Sequence, residues 1–351
     1  MRILLTGGCG FIGSAVIRHL IRNTEHSVVN VDKMTYAASE AALEEAATSP
    51  RHVLVRADVA DAEAMRSAFA IHQPDAVMHF AAESHVDRSI DEPGAFVQAN
   101  IVGTYVMLAA ARTHCAGLAP AAKEGFRFHH ISTDEVFGAL GPTDQPFTEA
   151  TPYSPRSPYS ASKAAADHLV RAWFHTYGLP TIISNTTNNY GPWQFPEKLV
   201  PLIAINAIEG KPLPVYGAGA NRRDWLYVED HAEALVRVLE RGMPGGTYCI
   251  GARATCGNLD IVQLICRLLD ELAPDPAGPH ARLIRFVADR PGHDFRYEID
   301  PAAAEVALSW RARHDLAQGL RRTLVWYLAN RAWWKPIRAA RYRGQRLGTA
   351  A

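Results

Sequence analysis

Short apolar runs alternate with amphipathic stretches along the first half of the chain. Residues 3–5, 27–31, 52–55, 76–80, 126–131 and 181–184 read as strands. Runs this short, rich in Val and Ile and bounded by glycine or polar residues, suit buried parallel strands. Between them, 14–22, 62–71, about 95–112 and 158–177 carry helical spacing. Strands alternating with helices predict an α/β fold with a doubly wound parallel sheet. After about Asn185 the alternation breaks, and Pro and Gly recur at Tyr190-Gly191-Pro192, Gly210-Lys211-Pro212 and Pro291-Gly292. The change predicts one domain over 1–186 and a smaller mixed α/β C-terminal substrate domain over 187–334. Segments around 224–250 are expected to return to the first domain. A cleft between two such lobes is the expected place for a ligand.

The helix near 95–112 departs from the amphipathic rule. Phe96, Val97, Ile101, Val102, Tyr105, Val106, Met107 and Leu108 make it apolar almost all round, whereas a helix covering a sheet needs one apolar stripe. Coverage by the second domain would account for this. A two-fold contact with a second copy is the preferred reading, and it predicts a homodimer.

Composition narrows the class. Lys+Arg and Asp+Glu both number 36 in 351 residues, so bulk charge gives no argument for nucleic acid. The five cysteines (Cys9, Cys115, Cys249, Cys256, Cys266) form no C-x-x-C; they read as reduced thiols, which predicts a cytoplasmic protein with neither disulfides nor a metal site. No window approaches the length of a membrane span, and nothing resembles a signal peptide. The segment 335–351 carries Lys335, Arg338, Arg341, Arg343 and Arg346 with no acid and reads as a solvated basic tail. His79, His129 and His130 lie in or beside strands and read as core histidines.

Two features carry chemistry. Gly7-x-x-Gly10-x-x-Gly13 falls between the first strand and the first helix. There glycines permit a tight turn, and a pyrophosphate can rest on the helix N-terminus, as in Rossmann-type dinucleotide sites. Asp32 ends the second strand, 19 residues past Gly13, where an acid binds the adenosine ribose hydroxyls. Its charge favours NAD over NADP, with adjacent Lys33 the one feature against that preference, and Asp58 suits the adenine edge. A bare strand-to-helix turn is the bland alternative for the glycines, and the βαβ context argues against it.

The second feature pairs Thr133-Asp134-Glu135 with Tyr159-x-x-x-Lys163. Four residues apart on a helix, Tyr159 and Lys163 share one face. The ammonium is expected to lower the phenol's pKa so that it works as a base on an alcohol. The adjacent carboxyls can supply an acid and a base to one substrate, which an elimination of water needs. A surface turn or helix cap is the bland reading of two acids alone; their place after a buried strand argues against it.

Together the glycine pattern, Asp32, Ala81-Ala82, Thr133 and Tyr159-x-x-x-Lys163 resemble the extended short-chain dehydrogenase/reductase family acting on nucleotide sugars. Within it, Ala82 to Ile90, Ser132 to Val136, Asn188 to Pro192, Phe195 to Leu199, Arg223 to His231 and Asp289 to Asp294 resemble the dTDP-glucose 4,6-dehydratases. The likeness spans roughly 1–330. It implies a lyase that converts dTDP-glucose to dTDP-4-keto-6-deoxyglucose and water, feeding deoxysugar synthesis such as dTDP-rhamnose. A hydride lent to NAD from C4 would return to C6. Tyr159 would take the O4 proton with Lys163 supporting it, and Thr133 would bond O4. Glu135 would take the C5 proton and Asp134 would protonate the leaving O6. The resemblance extends the expected cofactor set to Phe11, Ile12, Thr35, Val59, Ala81, Ala82, Ser84 and Asn189. It implies substrate contacts at Ser84, His85, Asn188, Lys198 and Leu199 for the sugar and diphosphate. Pro214, Tyr216, Arg223, Asn258, Asp289, Arg290 and His293 are implied near the nucleotide. The chain departs from the family pattern at Phe137 (usually Tyr), Ala99 (usually Thr) and Ala38-Ser39 (usually Gly-Asn), and the loop from Ala139 to Thr151 looks short.

Three other readings compete: a nucleotide-sugar 4-epimerase, a 4,6-dehydratase of another nucleotide, and a catalytically silent NAD-binding scaffold. Epimerases lack the Asp-Glu pair, and a silent scaffold would have lost Tyr159, Lys163, Asp134 or Glu135.

Overall fold

A computed structural model describes residues 1–289, 292–342, 344 and 347. The predicted strands form as β1 (Arg2–Thr6), β2 (Ser27–Asp32), β3 (His52–Arg56), β4 (Ala76–His79), β5 (Arg127–Thr133) and β6 (Thr181–Thr186). Further along the chain come β7 (Asn188–Tyr190), β8 (Leu213–Tyr216), β9 (Arg222–Tyr227), β10 (Thr247–Ile250), β11 (Thr255–Gly257), β12 (Ile284–Val287) and β13 (Arg296–Tyr297). Seven strands make one sheet in the order β10-β6-β5-β4-β1-β2-β3, with every pairing parallel. Ile3, Leu4 and Leu5 are fully buried because helices cover both faces, which is why the strands read as unbroken apolar runs. One face packs on the Phe11–Asn23 and Val228–Arg241 helices through Val16, Ile17, Leu20 and Leu235. The other packs on Ala62–His72, Gly103–Ala116 and Pro158–Tyr177 through Met65, Phe69, Met107, Leu108 and Val170.

Strand order reverses at β1, which pairs β2 on one side and β4 on the other (Thr6 opposite Val31 and His79). The crevice outside the carboxyl ends of β1 and β4 is therefore the expected ligand site. The remaining strands and helices build a second core around Val200, Ile203, Ile261, Ile265, Leu320 and Leu324. There β9 carries β7, β11 and β13, and β8 pairs β12. From β9 the chain returns through the Val228–Arg241 helix to the main sheet, where β10 lies beside β6.

The expected single helix over 95–112 differs in form. It is a short turn at Pro93–Phe96, a π-helical stretch at Val97–Val102 and an α-helix at Gly103–Ala116. The widened turn coincides with Asn100. Its Nδ2 donates to Ser162 Oγ (2.8 Å) and to the Glu83 carbonyl (3.0 Å), and its Oδ1 accepts from the Glu83 amide (2.9 Å). π-bulges cluster at functional sites for this kind of re-aiming. Val97 and Tyr105 stay exposed at 49% and 50%. Contrary to the expectation that no window reaches membrane length, the run 93–116 is long and apolar enough by composition, and half of its most apolar window is buried in the protein. All five cysteines are free.

Candidate active site

A cleft of about 450 Å³ opens at the predicted crevice. The Gly7 to Gly13 loop forms one wall. Gly7 has φ +72°, and a Cβ there would lie 2.9 Å from the Ala81 backbone. A Cβ on Gly13 would lie 2.3 Å from the Gly7 carbonyl. Only glycine fits either position, so the helix begins hard against β1 and β4. That helix has Gly10 as its N-cap and no side-chain cap, and Gly10, Phe11 and Ile12 line the cleft. Its first amides are thus available to an anion.

Asp32 closes the same wall. Its Oδ2 accepts from the Cys9 amide (2.8 Å) and its Oδ1 from the Met34 amide (2.7 Å). Burial pushes its pKa up and those two amides pull it back. Lys33 pairs with Asp58 at 2.6 Å, so the cation that weakened the case for NAD is committed to a carboxylate. Thr35, Val59, Ala81, Ala82, Ser84 and Asn189 line the cleft as well. Asn188 Oδ1 and Asn189 Oδ1 are buried without a hydrogen bond. An uncapped helix start, glycines that leave room for a pyrophosphate, an acid at the ribose position and unsatisfied amide oxygens together fit a dinucleotide such as NAD.

The catalytic candidates converge on the same cleft, which Thr133, Asp134, Glu135, Tyr159 and Lys163 all line. β5 ends at Thr133, and the chain turns through a 3₁₀ helix at Asp134–Phe137 that Thr133 caps by accepting from the Glu135 amide (3.3 Å). Asn185 Nδ2 and Thr186 Oγ1 hold the carbonyls of Thr133 and Ser132 (both 3.1 Å). The Pro158–Tyr177 helix starts at a Ser157–Ser160 capping box, which fixes its first turn, and Tyr159 lies in that turn.

The two acids sit in different surroundings. Asp134 is buried and its Oδ2 has no hydrogen-bond partner. Burial, reinforced by Glu135, pushes its pKa well above the usual aspartate value, which favours the protonated form. Glu135 is half-buried. A buried acid that favours its proton beside a more accessible carboxyl is the split that paired acid and base work requires.

The phenol departs from expectation. Burial, with Glu135 next, raises the Tyr159 pKa rather than lowering it. Lys163 is turned to the Ile131 carbonyl (2.8 Å) and His130 Nε2 (3.3 Å). Its own pKa falls to about 8 through burial. Activation of Tyr159 therefore needs a further positive charge in the cleft.

Sequence reasoning missed two groups. Under Lys163, Asp167 Oδ1 pairs with His130 (3.2 Å), and its Oδ2 accepts from Ser132 and Tyr153 (2.8 Å each). The signal was available, since Asp167 lies four residues past Lys163 on the same helix face. At the cleft mouth, Tyr36 donates to Glu197 (2.8 Å) and Arg88 pairs with it (2.9 Å) while stacking on Tyr36. No spacing announces that trio, because it joins three distant segments.

The implied substrate residues divide. Ser84, Asn188 and Lys198 line the cleft, and Lys198 Nζ donates to the Ser84 carbonyl (2.7 Å), linking the lobes. His85 is buried off the wall beside the Glu197 carbonyl (3.4 Å). Leu199 opens a helix and packs on the second core. Pro214 and Tyr216 lie on β8, where Tyr216 meets the His293 ring edge-on and His293 bonds Asp289 at 2.6 Å. Asn258 begins the Asn258–Leu272 helix. Arg223, expected at a diphosphate, donates to the Arg222, Phe295 and Asp294 carbonyls and lies over the Tyr297 ring. Arg290 lies outside the described residues, as do Arg343 and Arg346 of the tail. No metal-binding cluster occurs among the described residues.

Residues 4–323 match the family model described as GDP-mannose 4,6 dehydratase. A dTDP-glucose 4,6-dehydratase of Neisseria meningitidis serogroup B is 56% identical over 351 residues, covering 99% of both chains. One from Escherichia coli K12 is 55% identical over 350 residues, covering 97% of both. The crystal structure of DesIV, the dTDP-glucose 4,6-dehydratase of Streptomyces venezuelae with NAD bound, is 40% identical with a TM-score of 0.87, over 96% of this chain and all of that one.

Proposed function

The chain belongs to the GDP-mannose 4,6-dehydratase family, and from its full-length likeness to dTDP-glucose 4,6-dehydratases we propose that it is an NAD-dependent dTDP-glucose 4,6-dehydratase. It converts dTDP-glucose to dTDP-4-keto-6-deoxyglucose and water. The observation that carries this reading is the meeting of Asp134 and Glu135 with Thr133 and Tyr159 in one cleft. An epimerase has no use for that pair of acids, and the two full-length relatives share more than half of the sequence.

NAD, held by the Gly7 to Gly13 turn and Asp32, would supply an acceptor for the C4 hydride that serves as donor to C6, together with a positive charge that would favour the Tyr159 phenolate. The protein does the rest. The Gly7 to Gly13 turn and Asp32 hold the cofactor, and Lys198, Ser84 and Asn188 hold the sugar end. Tyr159 accepts the O4 proton while Thr133 bonds O4. The resulting ketone acidifies C5–H, and Glu135 removes that proton. Asp134, whose protonated form burial favours, protonates O6 as water leaves.

The enzyme works as a cytoplasmic homodimer. Five free thiols support the compartment, and exposed Val97 and Tyr105 on an apolar helix support the contact. Incubation of the purified protein with dTDP-glucose and no added cofactor tests the reading: a product lighter by one water supports it. An unchanged mass with a galactose product supports an epimerase. No turnover even with added NAD and UDP-glucose points to a silent scaffold.

A further inference from the structure

The proposed reaction reduces and reoxidises one cofactor within a single turnover. A cofactor that left midway would strand the keto sugar, so whatever holds it in the cleft matters to the whole cycle. The loop after β2 lies where it can do so. Asp32, Lys33, Thr35, Tyr36, Ala37 and Ala38 all line the cleft. The loop is strained: Met34 has φ +59°, a region that favours glycine and that other residues keep only where their surroundings enforce it. Met34 and Ala38 pack on the sheet core with Val16 and Ile17. Tyr36 and Ala37 pack the other way, on Phe195, Ile337 and Tyr342.

Three hydrogen bonds reach this loop from distant parts of the chain. Glu197 is 7% exposed, and its Oε1 accepts from Tyr36 (2.8 Å) while its Oε2 takes Arg88 (2.9 Å). A hydroxyl bond to a carboxylate is stronger than one between neutral groups. The other two come from the Arg331–Ala340 helix and the residue after it. Trp333 Nε1 donates to Ser39 Oγ (3.1 Å), and Arg341 donates to the Tyr36 carbonyl (3.2 Å). Ser39 is one of the positions where the chain departs from the family pattern. Residues 335–340, expected to begin a solvated tail, lie in this helix instead, and the helix is firmly seated. Trp334 is fully buried and donates to the Tyr327 carbonyl (2.8 Å), and Arg338, 7% exposed, donates to Asn206 Oδ1 (2.7 Å).

We propose that Glu197 and Trp333 are positioning residues that latch the Asp32–Ser39 loop against the bound dinucleotide. The latch keeps the cofactor in the cleft from C4 oxidation to C6 reduction. The inference rests on the reading of the cleft as an NAD site and adds to it what sets the cofactor's residence time. Changes within one binding site act mainly on dissociation, so the latch shows in the off-rate.

Protein loaded with radiolabelled NAD and chased with excess unlabelled NAD gives that rate. Y36F keeps the ring and loses the bond to Glu197; its NAD should leave about 10-fold faster or more. W333F loses a bond between neutral groups and should release NAD about 3-fold faster. L308A supplies the control. Leu308 is buried in a separate cluster with Ile182, Leu226 and Val238, so its truncation should lower the melting temperature and leave the off-rate at the wild-type value. Wild-type off-rates in Y36F and W333F would overturn the latch. So would an L308A off-rate raised as far as theirs, since the contacts would then serve the fold alone. Wild type that holds no label would fail the cofactor reading and the latch together, and the wild-type arm by itself tells that outcome from failure of the latch.

Discussion

At the scale of single residues, function turns on two buried groups held in costly states. Asp134 favours its protonated form, because burial and then Glu135 push its pKa up. Rate should therefore fall as pH rises and Asp134 gives up its proton, at a higher pH than an ordinary aspartate would lose it. D134N should keep C4 oxidation, seen as reduced-nicotinamide absorbance, yet lose dehydration by roughly 10²-fold or more. A D134N enzyme that dehydrates at the wild-type rate would rule Asp134 out as the acid. Lys163 is the second case, with a pKa lowered from 10.5 to about 8 by burial. The unfolded chain binds that proton more tightly, so burying the ammonium costs stability fully below pH 8, and the cost fades as pH rises to 10.5. Wild-type stability relative to K163M should thus climb with pH across that window, by at most about 3 kcal/mol. Denaturant titrations at pH 7, 9 and 10.5 measure the climb; a flat difference would contradict it. These roles were half legible in sequence. Tyr159-x-x-x-Lys163 and Asp134-Glu135 announced themselves by spacing, but the direction of the Tyr159 shift depends on burial that no spacing encodes.

At the scale of elements, the strand–glycine–helix unit and Asp32 were legible because each glycine answers a backbone demand. The π-helical stretch was not. Apolar periodicity over 93–116 continues through it, and only the three hydrogen bonds of Asn100 show why the turn widens. N100A would leave the Glu83 amide and carbonyl and Ser162 without that partner. It should cost about 1–3 kcal/mol and loosen the loop carrying Ser84, which raises KM more than it lowers kcat. Thermal unfolding and steady-state kinetics check both; an unchanged Tm would refute the role given to Asn100. Arg223 is another matter. The family resemblance implies it near the nucleotide, and it also donates to the Asp294 and Phe295 carbonyls, a pairing of distant segments that is invisible along the chain.

At the scale of the whole molecule, the doubly wound sheet followed from alternation alone, and the crevice followed from the reversal of strand order at β1. How β7, β8 and β12 assemble was not legible, since strands of three or four residues carry too little pattern. The apolar 93–116 run makes the homodimer a physical expectation. Tyr105→Glu with Val97→Glu should convert a dimer to monomer by sedimentation while leaving the fold intact; a wild-type monomer would end that idea. The central claim is that one site oxidises C4, expels water and returns the same hydride to C6. The direct measurement uses dTDP-glucose deuterated at C4, with the product's label located by NMR. The account predicts a product lighter by one water with deuterium on C6. Deuterium lost to solvent, or kept at C4 of an undehydrated sugar, would contradict it.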